Sequence, residues 1–283
     1  MNMQTRDLRL ETTMPSPLII AHRGASALAP ENTLAAFKRA LAVGADGVEF
    51  DVRLSKDDVP VVIHDNNILR TTGVDQRVVD LTAEQLSRVD AGSWFNAAYP
   101  SRAQADHAAE GVPSLRSVLK LVENISGPIY IELKCETADD LSPLVDAVCR
   151  EIADADLETS VIIESFHLGA IPLTRARLPG AKTAALFAPK VMRLLRKEKY
   201  LIKIARELGA DHLCLHKSLV SRKLVQKAER YDMPVTVWTV NANRWVSWAA
   251  RHGLFAVITD DPSMLLRGRE TMSRKRGSEV TVE

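Results

Sequence analysis

Apolar residues in this chain fall into two kinds of segment that alternate along its length. Short runs of strand length, almost unbroken in hydrophobicity, occupy Leu18–Ala21, Val48–Leu54, Ile129–Leu133, Val161–Glu164, Thr183–Phe187, His212–Leu215, Val235–Val240 and Ala256–Thr259. Longer amphipathic stretches lie between them at Glu31–Val43, Leu141–Ala153, Leu168–Leu178, Tyr200–Leu208, Leu219–Tyr231 and Trp245–His252. One further short run, Val61–His64, reads as an extra piece after the second strand. Strands that are apolar almost continuously are buried on both faces, and helices between them make the crossovers parallel. This pattern predicts an α/β fold, a TIM (β/α)8 barrel. An open doubly wound sheet is the rival, but no glycine-rich phosphate loop follows the first strand.

The rhythm breaks between Asn66 and Val112, a segment too long for an ordinary connection. In a barrel it is a small insertion after the second strand, on the catalytic side, with one short helix predicted at Thr82–Val89. The domain plan is then an N-terminal extension over residues 1–17, the barrel over 18–266, and a flexible, solvated tail over 267–283, where charge is dense and apolar residues are few.

Composition narrows the partners. The 37 Lys and Arg residues against 36 Asp and Glu give a formal net charge of +1, so no global field draws the chain to nucleic acid or to an anionic membrane. Any anion has to be bound by local groups. No run approaches membrane-spanning length, and the first 17 residues carry Arg6, Asp7, Arg9 and Glu11, unlike a signal peptide. Cys135, Cys149 and Cys214 are odd in number and widely spaced, which reads as reduced, inert thiols in a cytoplasmic protein.

The chemistry gathers at strand ends. The first strand runs into His22-Arg23-Gly24, the second carries Glu49-Phe50-Asp51, its extension ends in His64-Asp65, and the third carries Glu132-Leu133-Lys134. The C-terminal ends of barrel strands share one mouth, so these groups converge although they are far apart in the chain. Glu49 and Asp51 are two residues apart on a strand and share a face, as do Glu132 and Lys134. Three carboxylates buried together need a positive partner. An oxygen-preferring divalent cation, Mg²⁺ or Ca²⁺, suits that donor set better than zinc. Arg23 and Lys134 would balance a phosphate, and His22 and His64 suit proton transfer near neutral pH, with either able to act as acid or base.

These residues resemble a known family. His22-Arg23-Gly24, Pro30-Glu31-Asn32-Thr33, Glu49-Phe50-Asp51-Val52, His64-Asp65, Ile131-Glu132-Leu133-Lys134, Val237-Trp238-Thr239-Val240-Asn241 and Ile258-Thr259-Asp260-Asp261-Pro262 are similar to the glycerophosphodiester phosphodiesterases, from about Leu18 to Leu266. The resemblance implies a TIM barrel that hydrolyses a small-molecule glycerophosphodiester to glycerol 3-phosphate and an alcohol. By position, Glu49, Asp51 and Glu132 match the family's metal ligands, His22 and His64 its acid/base pair, and Arg23 and Lys134 its phosphate contacts. Trp238 matches an aromatic lining the glycerol pocket; filling of the barrel by its indole is the competing role.

Some positions depart from the family or stay open. Gly253-Leu254-Phe255-Ala256 replaces the common Gly-Val-Asp-Gly before the last strand. Glu164 and His167, flanking a family-like Ser165-Phe166, are either pocket groups or ordinary pairs, and His216 sits after the sixth strand at the mouth or in a surface loop. Two other functions fit the same framework: a lysophospholipase D or cyclising phospholipase on the same histidines, and a barrel that binds glycerophosphodiesters without cleaving them. The polar, alanine-rich stretch Ser101–Glu110 favours soluble substrates over lysolipids, and no acid/base or ligand position is missing.

Overall fold

The computed structural model describes residues 16–136, 141–191 and 199–280. Its strands, β1 (Leu18–His22), β2 (Gly47–Leu54), β4 (Ile129–Leu133), β5 (Val161–Ser165), β6 (Lys182–Phe187), β7 (His212–His216), β8 (Val235–Trp238) and β9 (Ala256–Thr259), pair in parallel, and β1–β2 pairing closes the ring. This is the expected TIM barrel. The extra run forms β3 (Pro60–Val62), which turns back antiparallel on β2 outside that ring.

Helices α1 (Leu34–Ala42), α6 (Leu141–Asp154), α7 (Ala170–Arg177), α8 (Lys199–Glu207), α9 (Arg222–Glu229) and α10 (Arg244–His252) lie close to the amphipathic stretches read from the sequence. Two large apolar clusters fill the space between this helical coat and the strands. A third holds Ile20, Tyr130, Ile162, Ala184, Leu186, Cys214, Ala256 and Ile258. The third cluster lies inside the ring: Tyr130 on β4 hydrogen-bonds Thr236 on β8 at 2.8 Å, joining strands on opposite sides of the barrel. The barrel is thus packed below its mouth rather than open.

Two elements differ from the sequence reading. The stretch after Val112 was assigned no helix, yet α5 (Leu115–Val122) supplies the second crossover, capped by Ser114 and burying Leu115, Val118, Leu119 and Val122. That spacing is one helical face, and each burial of this kind contributes about 1.5–3 kcal/mol. The segment from residue 267, read as a flexible tail, is a continuation of α11 (Pro262–Val280). Leu265 is buried with Leu266 and Met272 against the same cluster, and Arg269 pairs with Asp46 at 2.5 Å. High charge density did not prevent helix formation because one face has a surface to dock on. The extension before Ser16 lies outside the described residues.

The long segment after β3 folds into short pieces, α2 (Leu69–Thr72), α3 (Ala83–Ser87) and α4 (Ser93–Ala98), with intervening 3₁₀ turns. Thr82 and Gln85 close a reciprocal capping box on α3, within the helix predicted there. Val61, Ile63, Ile68, Val78, Leu86, Ala91 and Val112 form a small core of their own, which fixes this segment beside the mouth.

Candidate active site

The His22-Arg23-Gly24 turn is built by backbone strain. Arg23 adopts φ 54° and Gly24 φ 75°, and a Cβ on Gly24 would come within 2.6 Å of the Ala36 backbone. Glycine alone accepts both conditions. The left-handed conformation costs Arg23 roughly 1–2 kcal/mol. In return, its N–H donates to Glu49 Oε2 at 3.2 Å, while its guanidinium lies 3.1 Å from Asp51 Oδ2 and 2.8 Å from Glu31 Oε1.

The Glu31-Asn32-Thr33 segment has one task per residue. Glu31 holds Arg23; Asn32, also left-handed at φ 57°, donates from Nδ2 to Asp51 Oδ2 at 2.9 Å; Thr33 caps α1. None of these roles was visible in the sequence.

Glu49, Asp51 and Glu132 converge. Strand register sets Asp51 beside Glu132, and one oxygen from each of the three carboxylates lies within 4.8 Å of the others. All three are buried, which alone disfavours ionisation. Burial pushes Glu49 up to about 8, opposed by His22 and reinforced by the neighbouring carboxylates. Burial likewise pushes Glu132 up to about 7, against the pull of Lys134, whose Nζ lies 2.6 Å from Glu132 Oε1 and 3.2 Å from Asp51 Oδ1. Burial would raise Asp51 as well, but Arg23 and Lys134 hold it far below the usual carboxylate range. A dry, all-oxygen cluster with two members held back from ionisation fits an oxygen-coordinated divalent cation, which would stabilise the charged form of all three.

The two histidines are oriented alike. His22 Nδ1 lies 2.6 Å from Asp260 Oδ1 and His64 Nδ1 lies 2.6 Å from Asp65 Oδ1. An ionised carboxylate only accepts, so each Nδ1 carries the proton and each Nε2 is left for other chemistry. Their environments then diverge. Burial opposes protonation of His22, yet Glu49 and Asp260 outweigh it and its pKa is raised. His64 is lowered, by burial and by Arg23 and Lys134 against the attraction of Asp51.

A second ring of contacts enters from α2. Arg70 Nε donates to Asp65 Oδ2 at 2.6 Å, and its other nitrogens donate to Glu31 at 2.8 and 2.9 Å. One arginine therefore braces both the carboxylate behind His64 and the carboxylate behind Arg23.

His22, Arg23, Glu49, His64, Glu132 and Lys134 line a cavity of about 250 Å³ together with Phe166, Leu186, Trp238 and Ile258, and Lys134 Nζ lies 5.7 Å from the Phe166 ring centroid. Trp238 stands at the end of β8 with its ring edge-on to Phe166 and to His216, at centroid distances of 5.7 and 5.1 Å. Its indole packs on the apolar cluster inside the ring and lines the cavity as well, so it serves both places that the sequence offers it. Glu164, left open by the sequence, also lines this cavity, whereas His216 bonds Ser218 at its exposed edge.

The glycerophosphoryl diester phosphodiesterase family matches residues 22–264. A glycerophosphodiester phosphodiesterase of Caldanaerobacter subterraneus subsp. tengcongensis is 32% identical over 88% of this chain and 96% of its own length. One from Bacillus altitudinis is 31% identical over 90% and 98%. Among solved structures, an Oleispira antarctica phosphodiesterase in complex with the product sn-glycerol-3-phosphate superposes with a TM-score of 0.78 at 25% identity, over 90% of this chain and 97% of that one.

Proposed function

The chain belongs to the glycerophosphoryl diester phosphodiesterase family, and on that premise we propose that it hydrolyses glycerophosphodiesters to sn-glycerol 3-phosphate and an alcohol, using Mg²⁺ or Ca²⁺. The carrying observation is the cluster of three buried carboxylates, two of which line one cavity together with two carboxylate-backed histidines and two cations. The product bound to the Oleispira antarctica phosphodiesterase supports the same product here.

In this reading Glu49, Asp51 and Glu132 hold the cation, which when bound supplies positive charge to the phosphoryl oxygens. Arg23 and Lys134 face the same anion and stabilise the charge that builds as the P–O bond breaks. One histidine accepts the proton of the nucleophile, either water or the glycerol's own hydroxyl with water then opening the cyclic phosphate, and the other returns a proton to the departing alkoxide. Trp238 borders the glycerol. A cytoplasmic location accords with cysteines that form no disulfide among the described residues; among those residues no helix is long and apolar enough to cross a membrane.

Release of sn-glycerol 3-phosphate from glycerophosphocholine and glycerophosphoethanolamine tests the reading. Purified protein is expected to release it from both, to stop with EDTA, and to recover with Mg²⁺ or Ca²⁺. Folded protein inactive with every cation would overturn the proposal.

Arg70→Met should lower kcat by roughly ten- to a hundredfold, the usual cost of losing an outer group that orients a site. Arg70→Lys should recover only part, because an ammonium cannot brace two carboxylates as a fork does. Unchanged kcat in Arg70→Met would show that the site stands without this brace.

A further inference from the structure

Glu164 lines the same cavity as the charged groups and the aromatic rings. Its Cα is paired in register with that of Glu132, and the residue is only 2% exposed. The Cys214 thiol hydrogen-bonds its carboxylate, which explains why that cysteine is buried inside the barrel beside a polar group. Oε2 of Glu164, however, has no hydrogen-bond partner. Across the same cavity the indole Nε1 of Trp238 is likewise buried and unpaired. A buried orphan donor and a buried orphan acceptor each carry a desolvation cost that a ligand can relieve. Glu164 also stands outside the group of three carboxylates that share one 4.8 Å cluster.

The unpaired atoms are complementary. An indole N–H only donates, while Glu164, which burial pushes up to about 8, accepts as a carboxylate and keeps acceptor capacity as the acid, so a group that both accepts and donates satisfies the two together. A hydroxyl is that group. An aliphatic carbon would leave both unpaired. The surrounding Phe166, Leu186 and Ile258 offer contact to a short carbon chain and no competing hydrogen bond from their side chains.

We infer that Glu164 is a specificity residue that, with Trp238, recognises a free hydroxyl on the glycerol moiety of the substrate. The assignment rests on the proposed glycerophosphodiester reading and adds the residue that distinguishes a polyol phosphate from an alkyl phosphate. In the bound complex the ligand hydroxyl donates to Glu164 Oε2 and accepts from Trp238 Nε1–H. Arg23 and Lys134 bind the phosphate in both kinds of ligand and contribute nothing to the distinction.

The test is calorimetric binding of sn-glycerol 3-phosphate and of n-propyl phosphate to the full-length protein in Mg²⁺, which needs no turnover. Wild type should prefer glycerol 3-phosphate by roughly tenfold or more, as expected for a site that leaves polar groups unpaired when the hydroxyl is missing. Glu164→Met, which removes both oxygens with little change in volume, should bring the two affinities together while n-propyl phosphate binding and the Mg²⁺ titration hold. Glu164→Gln keeps one acceptor in a less disturbed pocket and should show an intermediate preference; it decides the matter if the Met variant does not fold. A preference unchanged in these variants, or an equal loss for both ligands, would overturn the assignment and leave the phosphodiesterase reading intact. If wild type binds neither phosphate, the reading beneath the assignment fails as well.

Discussion

Glu49→Gln is expected to remove divalent-cation binding and hydrolysis together, with losses on the order of a hundredfold or more in each, larger than the cost of removing an outer-shell partner. The substitution keeps the shape of the side chain and takes away the negative charge that the ionised acid would offer a bound cation. If Glu49 served only to accept the Arg23 N–H and to face His22 at 3.8 Å, an amide oxygen would still accept that bond and cation affinity would be untouched. As a ligand, one of three carboxylates with oxygens within 4.8 Å of one another, it would supply charge that Asp51 and Glu132 alone cannot replace. Thermal unfolding separates these cases. A cation that binds the native state raises Tm with its concentration. Wild type should show that rise and Glu49→Gln should not, while the metal-free variant should be no less stable than metal-free wild type, because burial already disfavours the ionised acid at this position. A variant that kept the wild-type metal titration would remove Glu49 from the ligand set.

The barrel was legible because its strands are buried on both faces and read as unbroken apolar runs, whereas α5 was missed although Leu115, Val118, Leu119 and Val122 recur at helical spacing. In the charged final segment composition reports solvation and does not mark the helix that carries it, nor that Arg269 finds Asp46 223 residues earlier in the chain. At the site, the groups at strand ends could be gathered from topology alone. Their supports could not. Asp260 orients His22 across 238 residues, and Arg70 reaches Glu31 across 39. Nothing in the local pattern around either residue marks the partner. Glu164 is the intermediate case: its place at the end of a parallel strand was visible, but an unpaired oxygen is a property of packing, not of sequence.

His64→Ala should lower turnover of glycerophosphodiesters by roughly 10²- to 10⁴-fold, the range for losing a positioned proton carrier, while cation binding stays at the wild-type level. His64 is bound through Nδ1 to Asp65 and belongs to no carboxylate of the cluster, so its removal leaves Glu49, Asp51 and Glu132 in place. The same loss is expected for His22→Ala. The two variants should part when the leaving group changes. A p-nitrophenolate departs without a proton, so an ester of glycerol 3-phosphate with p-nitrophenol needs no general acid, though it still needs a base. One histidine variant should recover most of its activity on that ester and the other should not, and the one that recovers has lost the acid. Recovery by both variants would mean that neither accepts a proton from the nucleophile. Recovery by neither would mean that the histidines act by holding substrate or shaping the cavity, and the proton-relay assignment would have to be given up.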